Sequence, residues 1–350
     1  MKTKIKIKNR FIGESYPCYV VAELSGNHNG KLSKILKLID KAKKAGVDAV
    51  KIQAYQADTI TINSVKEDFR IKKNNSWEKY KNLYNLYKKA QTPFSWLPRI
   101  FSYCKKKKIT VFASVFDTKS IKILEKLKCP AYKIASPEIT DISLIKEAAK
   151  TGKPIIISTG LADFEDIKLA YNTISKVNKN LIILKCTSAY PTKLEEVNLN
   201  TIFYLKKKFK CPIGFSDHTL GINTPILAAS MGCNMIEKHL VENGKKTVDS
   251  FFSLDDKNFS KMVNQIRANE IAKGKISLDV SNSSLKNLNG RRSLYVVKKI
   301  KKGEKINKNN VRSIRPSYGL HPKFYERILG KKVKKNLEFG ERMLLRYVKK

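Results

Sequence analysis

Short, continuous apolar runs recur through the first 240 residues, and most precede a stretch in which apolar residues recur at three- and four-residue spacing. The runs predict β-strands, and the spaced stretches predict amphipathic helices. Eight strands are predicted, over residues 18–23, 48–53, 110–114, 131–136, 154–159, 182–187, 213–216 and 234–239. Apolar strands that alternate with helices favour an α/β fold with a parallel sheet, and eight units in about 250 residues fit a closed (β/α)8 TIM barrel.

Two segments depart from this pattern. Residues 54–96 form a long polar insertion with Trp77 and several tyrosines, which predicts an extended loop and a helix above the barrel mouth. Residues 276–290 are rich in Ser and Asn and have no helical stripe, so they predict a linker. Short strands and turns follow. We therefore expect a barrel domain over 1–275, a linker over 276–290 and a small domain over 291–350.

The composition is that of a globular protein. Hydrophobic residues make up 42% of the 350 and charged residues 29%, which excludes a disordered chain. No apolar run approaches the roughly 18 residues of a membrane helix, and the alternating Lys and Ile of the first residues predict a strand rather than a signal peptide. We expect a cytoplasmic protein with no membrane partner.

The net charge of +41 raises the possibility of a basic nucleic-acid-binding protein. Only 11 of the 71 basic residues are Arg, and the lysines are spread over the whole chain. Because nucleic-acid surfaces concentrate charge and favour Arg, we interpret the lysines as a solvated surface and expect no nucleic-acid partner. The six cysteines have no metal-binding spacing, which predicts reduced, buried thiols.

Polar residues lie at or near the carboxyl end of every predicted strand, where barrel enzymes build their active sites. They are Glu23, Lys51, Gln53, Ser114, Lys133, Ser136, Glu138, Ser158, Thr159, Thr187, Ser188, Ser216, Asp217, His218, Glu237 and His239. Lys51 and Lys133 lie in apolar strands, where an ammonium group needs an anion, and a phosphate is the natural candidate. No P-loop or GxGxxG motif is present, so a nucleotide is not expected.

Two of the four histidines, His218 and His239, fall at the ends of neighbouring predicted strands. Two imidazoles that meet at one point can hold a divalent metal ion with positions left for water and substrate. Such an ion would polarise a carbonyl group.

The ordered motifs of the chain resemble those of the sialic acid synthase family. Its last part, RRSLYVVKKIKKGEKI followed by VRSIRPSYGLHP, resembles the antifreeze-like (SAF) domain of that family. The barrel motifs are AELSGNHNG (22–30), DAVKIQAY (48–55), YKIASPEI (132–139), ISTGL (157–161), LKCTSAYPT (184–192), GFSDHTLG (214–221) and IEKHL (236–240).

The resemblance implies that phosphoenolpyruvate adds through C3 to the aldehyde of an open-chain amino sugar. Water then attacks C2, and phosphate leaves. It implies a phosphoenolpyruvate site formed by Lys51, Ser114, Lys133, Ser136, Ser158, Ser188 and Ser216. It also implies catalytic roles for Glu23, Glu138 and His218, and Mn²⁺ or Mg²⁺ bound by His218 and His239.

The sugar is expected to meet Gln53, Tyr190, Asp249 and Arg315. The resemblance places Arg315 on the partner chain of a homodimer whose C-terminal domains are swapped.

Three segments indicate which sugar is used: SGNHN (25–29), ASVFD (113–117) and DSFFSLDD (249–256). All three are similar to the family members that make pseudaminic acid from 2,4-diacetamido-2,4,6-trideoxy-L-altrose. We interpret Ala113 and Val115 as an apolar wall suited to a sugar without a 6-hydroxyl group. Synthesis of N-acetylneuraminate or legionaminic acid by the same chemistry is the alternative, and a carbohydrate-binding role for the C-terminal domain is a further one.

Overall fold

The chain begins with a short antiparallel hairpin in the computed structural model, which describes residues 1–349. Its strands are β1 (Ile5–Ile7) and β2 (Arg10–Ile12). The backbone N–H of Lys2 donates to the carbonyl of Lys179, just before a barrel strand, so the hairpin lies at the amino-terminal end of the barrel. The strand predicted at the start of the chain is therefore one half of a hairpin.

Eight parallel strands then close into a barrel, because each pairs with the next and the last pairs again with the first. They are β3 (Tyr19–Glu23), β4 (Ala49–Ala54), β5 (Thr110–Val115), β6 (Tyr132–Ile134), β7 (Ile155–Ser158), β8 (Leu181–Cys186), β9 (Ile213–Asp217) and β10 (Met235–Val241). A two-residue strand, β11 (Leu254–Asp255), extends the sheet beside β10. The predicted TIM barrel is confirmed.

Ten helices belong to this part of the chain, and eight of them connect or follow the barrel strands. They are α1 (Leu32–Lys44), α2 (Ala57–Ile60), α3 (Leu83–Ala90), α4 (Leu97–Lys106), α5 (Thr118–Lys126), α6 (Ile142–Lys150), α7 (Phe164–Ser175), α8 (Thr201–Lys208), α9 (Asn223–Ser230) and α10 (Asp256–Lys273). Helices α2 and α3 lie in the insertion after β4. Asp117, Asp141 and Asp163 cap the starts of α5, α6 and α7 by accepting backbone N–H groups.

Short 3-10 turns complete the connections. They are Ser25–His28, Glu67–Phe69, Glu78–Tyr80, Phe94–Trp96, Ser136–Glu138, Leu194–Glu196, Leu288–Gly290, Pro322–Phe324 and Leu345–Tyr347. All six cysteines are free and buried, as predicted. Within residues 1–349, every helix is too short or too polar to cross a lipid bilayer.

The alternation of side chains along β5 overturns one prediction. Ser114 points into the barrel, where its Oγ accepts a hydrogen bond from Lys51. Its neighbours Ala113 and Val115 therefore point to the opposite face, where both are fully buried in the hydrophobic core. The interpretation of these two residues as a wall for the sugar is wrong, and their role is packing.

A second compact unit begins at Lys275. It contains α11 (Asn282–Leu285), α12 (Tyr325–Ile328) and an antiparallel pair of strands, β12 (Ser293–Val296) and β13 (Val311–Ile314). Its own hydrophobic core is formed by Leu294, Val296, Ile300, Ile306, Val311, Ile328, Val333, Leu337, Met343 and Val348.

Candidate active site

Four buried charges form a chain of ion pairs inside the barrel. Lys51 is paired with Glu23, and its Nζ lies 3.5 Å from Oε1 of Glu237. On the other side, Nζ of Lys133 donates to both oxygens of Glu237, at 2.9 and 3.1 Å. All four side chains are at most 4% exposed. They meet because all four point into the barrel, Glu23 from the last residue of β3 and the others from within β4, β6 and β10.

Burial and charge act against each other in this network. Burial raises the pKa of Glu237, but Lys133 and Lys51 outweigh it and hold that pKa below its usual range. Burial dominates for Glu23, so its pKa is raised despite Lys51. Burial also lowers the pKa of Lys133, whereas the two carboxylates raise that of Lys51 above its usual value. Glu237 is therefore the firmly ionised member that binds both lysines.

In this geometry the two lysines already have carboxylate partners, so their burial alone does not require a bound phosphate. Contact between Lys51, Lys133 and phosphoenolpyruvate stays a prediction.

The five serines predicted to meet phosphoenolpyruvate fall into two groups. Ser114 accepts from Lys51 at 2.9 Å, and Ser216 donates to Glu237 at 3.2 Å, so both belong to the charged network. The others are Ser158, the last residue of β7, and Ser136 and Ser188, which lie in the loops after β6 and β8.

Gly160 lies between two serines of the second group, Ser136 and Ser188. Its backbone N–H donates to Oγ of Ser136 at 3.0 Å, and a Cβ at this position would clash with Oγ of Ser188. Oγ of Ser158 is buried without a hydrogen-bond partner in residues 1–349. A buried hydroxyl of this kind is available to a substrate oxygen.

The two histidines predicted to bind metal meet at the mouth. The ring centroids of His218 and His239 are 5.3 Å apart, and the residues are 6% and 8% exposed. Nδ1 of His218 lies 2.9 Å from the carbonyl of Thr187, and Nδ1 of His239 lies 3.3 Å from Oγ of Ser25. Hydrogen bonds at Nδ1 leave Nε2 of each ring available to a metal ion.

The two imidazoles differ in how readily they lose the proton that competes with a metal ion. Burial, then the charge of His218, holds the pKa of His239 well below its usual range, so this imidazole is neutral. Burial lowers the pKa of His218 too, but the Cys186 thiol raises it above the usual value. Among residues 1–349, no group of three His, Cys, Asp or Glu side chains is arranged around one metal position. The pair therefore fits a divalent ion that takes its other ligands from water and substrate.

Aromatic rings cover the two histidines. The ring of Tyr190 lies 4.5 Å from that of His218, and the ring of Phe252 lies 4.7 Å from that of His239. Trp77, from the insertion after β4, contacts Tyr190, Phe251 and Phe252, with ring centroids 5.4, 5.4 and 6.3 Å away. Its Nε1 donates to the carbonyl of Val248 at 2.9 Å, which fixes the insertion over the mouth as predicted. We call Trp77, Tyr190, Phe251 and Phe252 the aromatic roof.

The remaining predicted residues are dispersed. Asp249 is buried beneath the aromatic roof, where its Oδ2 accepts from the backbone of Gly26 at 3.4 Å. Glu138 ends the 3-10 turn after β6; burial raises its pKa to about 7, and its Oε2 is buried without a partner in residues 1–349. Gln53 lies on β4, two residues after Lys51 on the same face. Arg315 belongs to the second unit, and its role at the sugar stays a prediction.

The structure adds residues to which the sequence analysis gave no role. Glu237 connects both lysines, and Phe252 packs on His239. The signal for Glu237 was present, because it lies two residues before His239 in a strand and must share its face. The sequence places the insertion that carries Trp77 above the mouth, but it gives no signal for the contacts of this ring with Tyr190 and Phe252.

Comparisons with known proteins agree with this architecture. The model of the NeuB family matches residues 38–277, and that of the SAF domain matches 291–341. The chain is 46% identical to the pseudaminic acid synthase of Campylobacter jejuni subsp. jejuni over 325 residues, which cover 92% of this chain and 94% of that protein. It is 32% identical to the N,N'-diacetyllegionaminic acid synthase of Legionella pneumophila subsp. pneumophila over 343 residues, or 96% of each chain.

Among solved structures, an N-acetylneuraminic acid (sialic acid) synthetase from Leptospira borgpetersenii serovar Hardjo-bovis superposes with a TM-score of 0.71 at 31% identity. The match covers 82% of this chain and 96% of that one. The NeuB model matches well over half of the chain, and the SAF model matches most of the second unit. The chain belongs to the NeuB family.

Proposed function

We propose that this chain condenses phosphoenolpyruvate, 2,4-diacetamido-2,4,6-trideoxy-L-altrose and water to give pseudaminic acid and phosphate. The observation that carries the proposal is the placement, at one barrel mouth, of a lysine-rich interior beside a pair of buried imidazoles. The first suits an anion, and the second suits a cation that activates a carbonyl group. The 46% identity to a pseudaminic acid synthase supports the same reaction.

The anion-binding end of the site would hold phosphoenolpyruvate. Lys51 and Lys133 offer two ammonium groups, and the buried Oγ of Ser158 offers a free hydroxyl. Ser136 and Ser188, packed around Gly160, lie in the neighbouring loops. Phosphate oxygens accept hydrogen bonds from donors of both kinds.

The chemical steps require one new carbon–carbon bond and the loss of phosphate. C3 of phosphoenolpyruvate attacks the sugar aldehyde, whose oxygen takes up a proton and becomes a hydroxyl group. Water adds to C2, and the C–O bond to phosphate then breaks. Glu23, a buried carboxylate whose pKa is raised by burial despite Lys51, is proposed to orient this water and accept its proton. Glu138, with a pKa near 7, is proposed to exchange a proton on the sugar side.

The cation proposed for this site is Mn²⁺ or Mg²⁺. His218 and His239 would hold it through Nε2, because Nδ1 of each ring faces another hydrogen-bonding group. When bound, the ion supplies Lewis-acid polarisation of the sugar aldehyde. Asp249 accepts a hydrogen bond from Gly26, next to Ser25, whose Oγ faces His239. Asp249 is therefore close to the proposed metal position and is proposed to orient a sugar hydroxyl there.

The choice of sugar is supported by the aromatic roof. Phe251 is 36% exposed and Phe252 is buried beside His239, so the cover over the histidines is apolar. A 6-deoxy sugar with two acetamido groups presents several methyl groups to such a surface, and burying them is favourable. Identity is also higher to the pseudaminic acid synthase, at 46%, than to the legionaminic acid synthase, at 32%.

We further propose that the active protein is a homodimer in which each second unit completes the partner's site. The family resemblance of the segment around Arg315 supports this arrangement, in which that guanidinium group contacts the sugar.

The reaction and the sugar are tested together by phosphate release from phosphoenolpyruvate with Mn²⁺. Three sugars are offered separately: the 6-deoxy diacetamido altrose, its mannose-configured isomer and N-acetylmannosamine. We expect release with the altrose sugar and little with the others. Release with N-acetylmannosamine instead would keep the mechanism and overturn the sugar, and no release with any sugar would contradict the reaction.

The buried Glu138 makes stability depend on pH in a defined direction. Its folded pKa, about 7, lies above the ordinary value of 4.5, so its contribution is fully present below pH 4.5 and is lost as the pH rises through 7. Glu138→Gln carries no charge to bury, so it should gain stability relative to the wild type over this interval, by about 3 kcal/mol at most. Urea unfolding of the metal-free protein at pH 5 and pH 8 measures this difference.

The matched control for that experiment is Glu195→Gln, at an exposed carboxylate. It should behave as the wild type at both pH values. Equal stability differences for Glu138→Gln at pH 5 and pH 8 would contradict the raised pKa and the proton-exchange role built on it.

The swapped dimer is tested by complementation. Arg315→Ala and His239→Ala should each be inactive alone, but co-expression forms heterodimers in which one site contains both wild-type parts. About a quarter of the wild-type activity should return in a random mixture. The control pair, His239→Ala with Lys133→Met, places both defects in the barrel and should give none. Absence of activity in the first mixture would rule out the swap.

A further inference from the structure

A second buried ion pair lies in the barrel wall, outside the charged network that faces the substrates. Asp217 on β9 and Lys238 on β10 are partners across the sheet, and each immediately precedes one of the two histidines. Ser216 and Glu237 point into the barrel, so alternation places Asp217 and Lys238 on the outer face. They cannot contact a substrate from there.

The pair holds the loop that carries His218 from both sides. Nζ of Lys238 lies 2.5 Å from Oδ2 of Asp217 and donates to the carbonyl of Thr219 at 2.7 Å. Oδ1 of Asp217 accepts from the backbone N–H of Thr219 at 2.9 Å. The residues before and after His218 are therefore fixed to the residue before His239.

Stability alone does not explain this arrangement. Lys238 and Asp217 are 1% and 0% exposed, and removing two charges from water costs about as much as their attraction returns. A packed apolar pair of similar size would stabilise the fold equally well. The ion pair fixes a geometry that an apolar pair would not. Its three hydrogen bonds set the distance and the angle between the ends of β9 and β10. A metal site needs its ligands held to within about 0.5 Å.

We propose that Asp217 and Lys238 are positioning residues that set the distance and orientation between His218 and His239, and so tune the affinity of the site for a divalent cation. The inference rests on the proposed metal role of the two histidines. It concerns residues that touch neither the metal nor the substrates.

The test is a titration of the metal-stripped full chain with Mn²⁺, in which the electron paramagnetic resonance signal reports the concentration of free Mn²⁺. Variants are Lys238→Met, Asp217→Asn and the double variant, which removes both charges and leaves no unpaired ion in the wall. We expect the Mn²⁺ dissociation constant to rise about 10- to 100-fold, as for other groups that orient metal ligands. Lys238→Arg should recover part of the affinity, and calorimetric binding of phosphoenolpyruvate should change little.

Arg267→Met is the matched structural control. Arg267 pairs with the buried Asp48 at 2.7 Å, close to the amino-terminal ends of β3 and β4 and away from the histidines. This variant should lower the melting temperature without changing Mn²⁺ affinity. That separates a positioning role from a general loss of stability.

The outcomes distinguish this inference from the proposed function. If His218→Ala abolishes Mn²⁺ binding but the folded double variant binds like the wild type, only the positioning role is overturned. If the single variants unfold, the double variant and Lys238→Arg still decide the question. If His218→Ala binds Mn²⁺ normally, or the wild type does not bind it, both the metal site and this inference are wrong.

Discussion

The carboxylate of Glu237 binds two buried lysines, and the interior of the barrel depends on this interaction. Lys51 and Lys133 come from different strands and would repel each other in a region that excludes water. Glu237 lies between them, and Glu23 balances Lys51 from the other side. The four charges sum to zero, so the barrel can bury them while keeping two ammonium groups at the place where an anionic substrate is proposed to bind.

The same two strands connect that interior to the proposed metal position. Ser216 and Glu237 form a hydrogen bond inside the barrel, Asp217 and Lys238 form an ion pair outside it, and His218 and His239 follow at the mouth. Two consecutive levels of side chains thus cross-link β9 and β10 beneath the two histidines. Because parallel strands alternate inward and outward side chains, one pair of strands can bind the interior lysines through Glu237, hold its own geometry and present two imidazoles.

The sequence predicts the barrel well because its signals are local: apolar runs, helix stripes and Asp caps recur in order. It also places most candidate site residues at strand ends, where the barrel must gather them. Its errors come from tertiary detail. The sequence suggests a substrate wall at Ala113 and Val115, but side-chain alternation along β5 places both on the outer face of the barrel, in the hydrophobic core. The sequence places Glu237 near a strand end but does not indicate the two lysines that it binds. It places the insertion of Trp77 above the mouth but does not indicate which residues Trp77 contacts.

The inward lysines are proposed to hold phosphoenolpyruvate, and calorimetric titration of Lys133→Met with phosphoenolpyruvate, without sugar, measures this contact. Loss of one charge-assisted contact, worth about 1.5–3 kcal/mol, predicts a dissociation constant raised about 10- to 100-fold. Lys185→Met is the matched control, since Lys185 is also buried at a strand end but donates to the carbonyl of Cys186 and to Thr187. We expect Lys185→Met to bind phosphoenolpyruvate as tightly as the wild type does. Equal affinity of the wild type and a folded Lys133→Met would contradict the proposed contact between Lys133 and phosphoenolpyruvate.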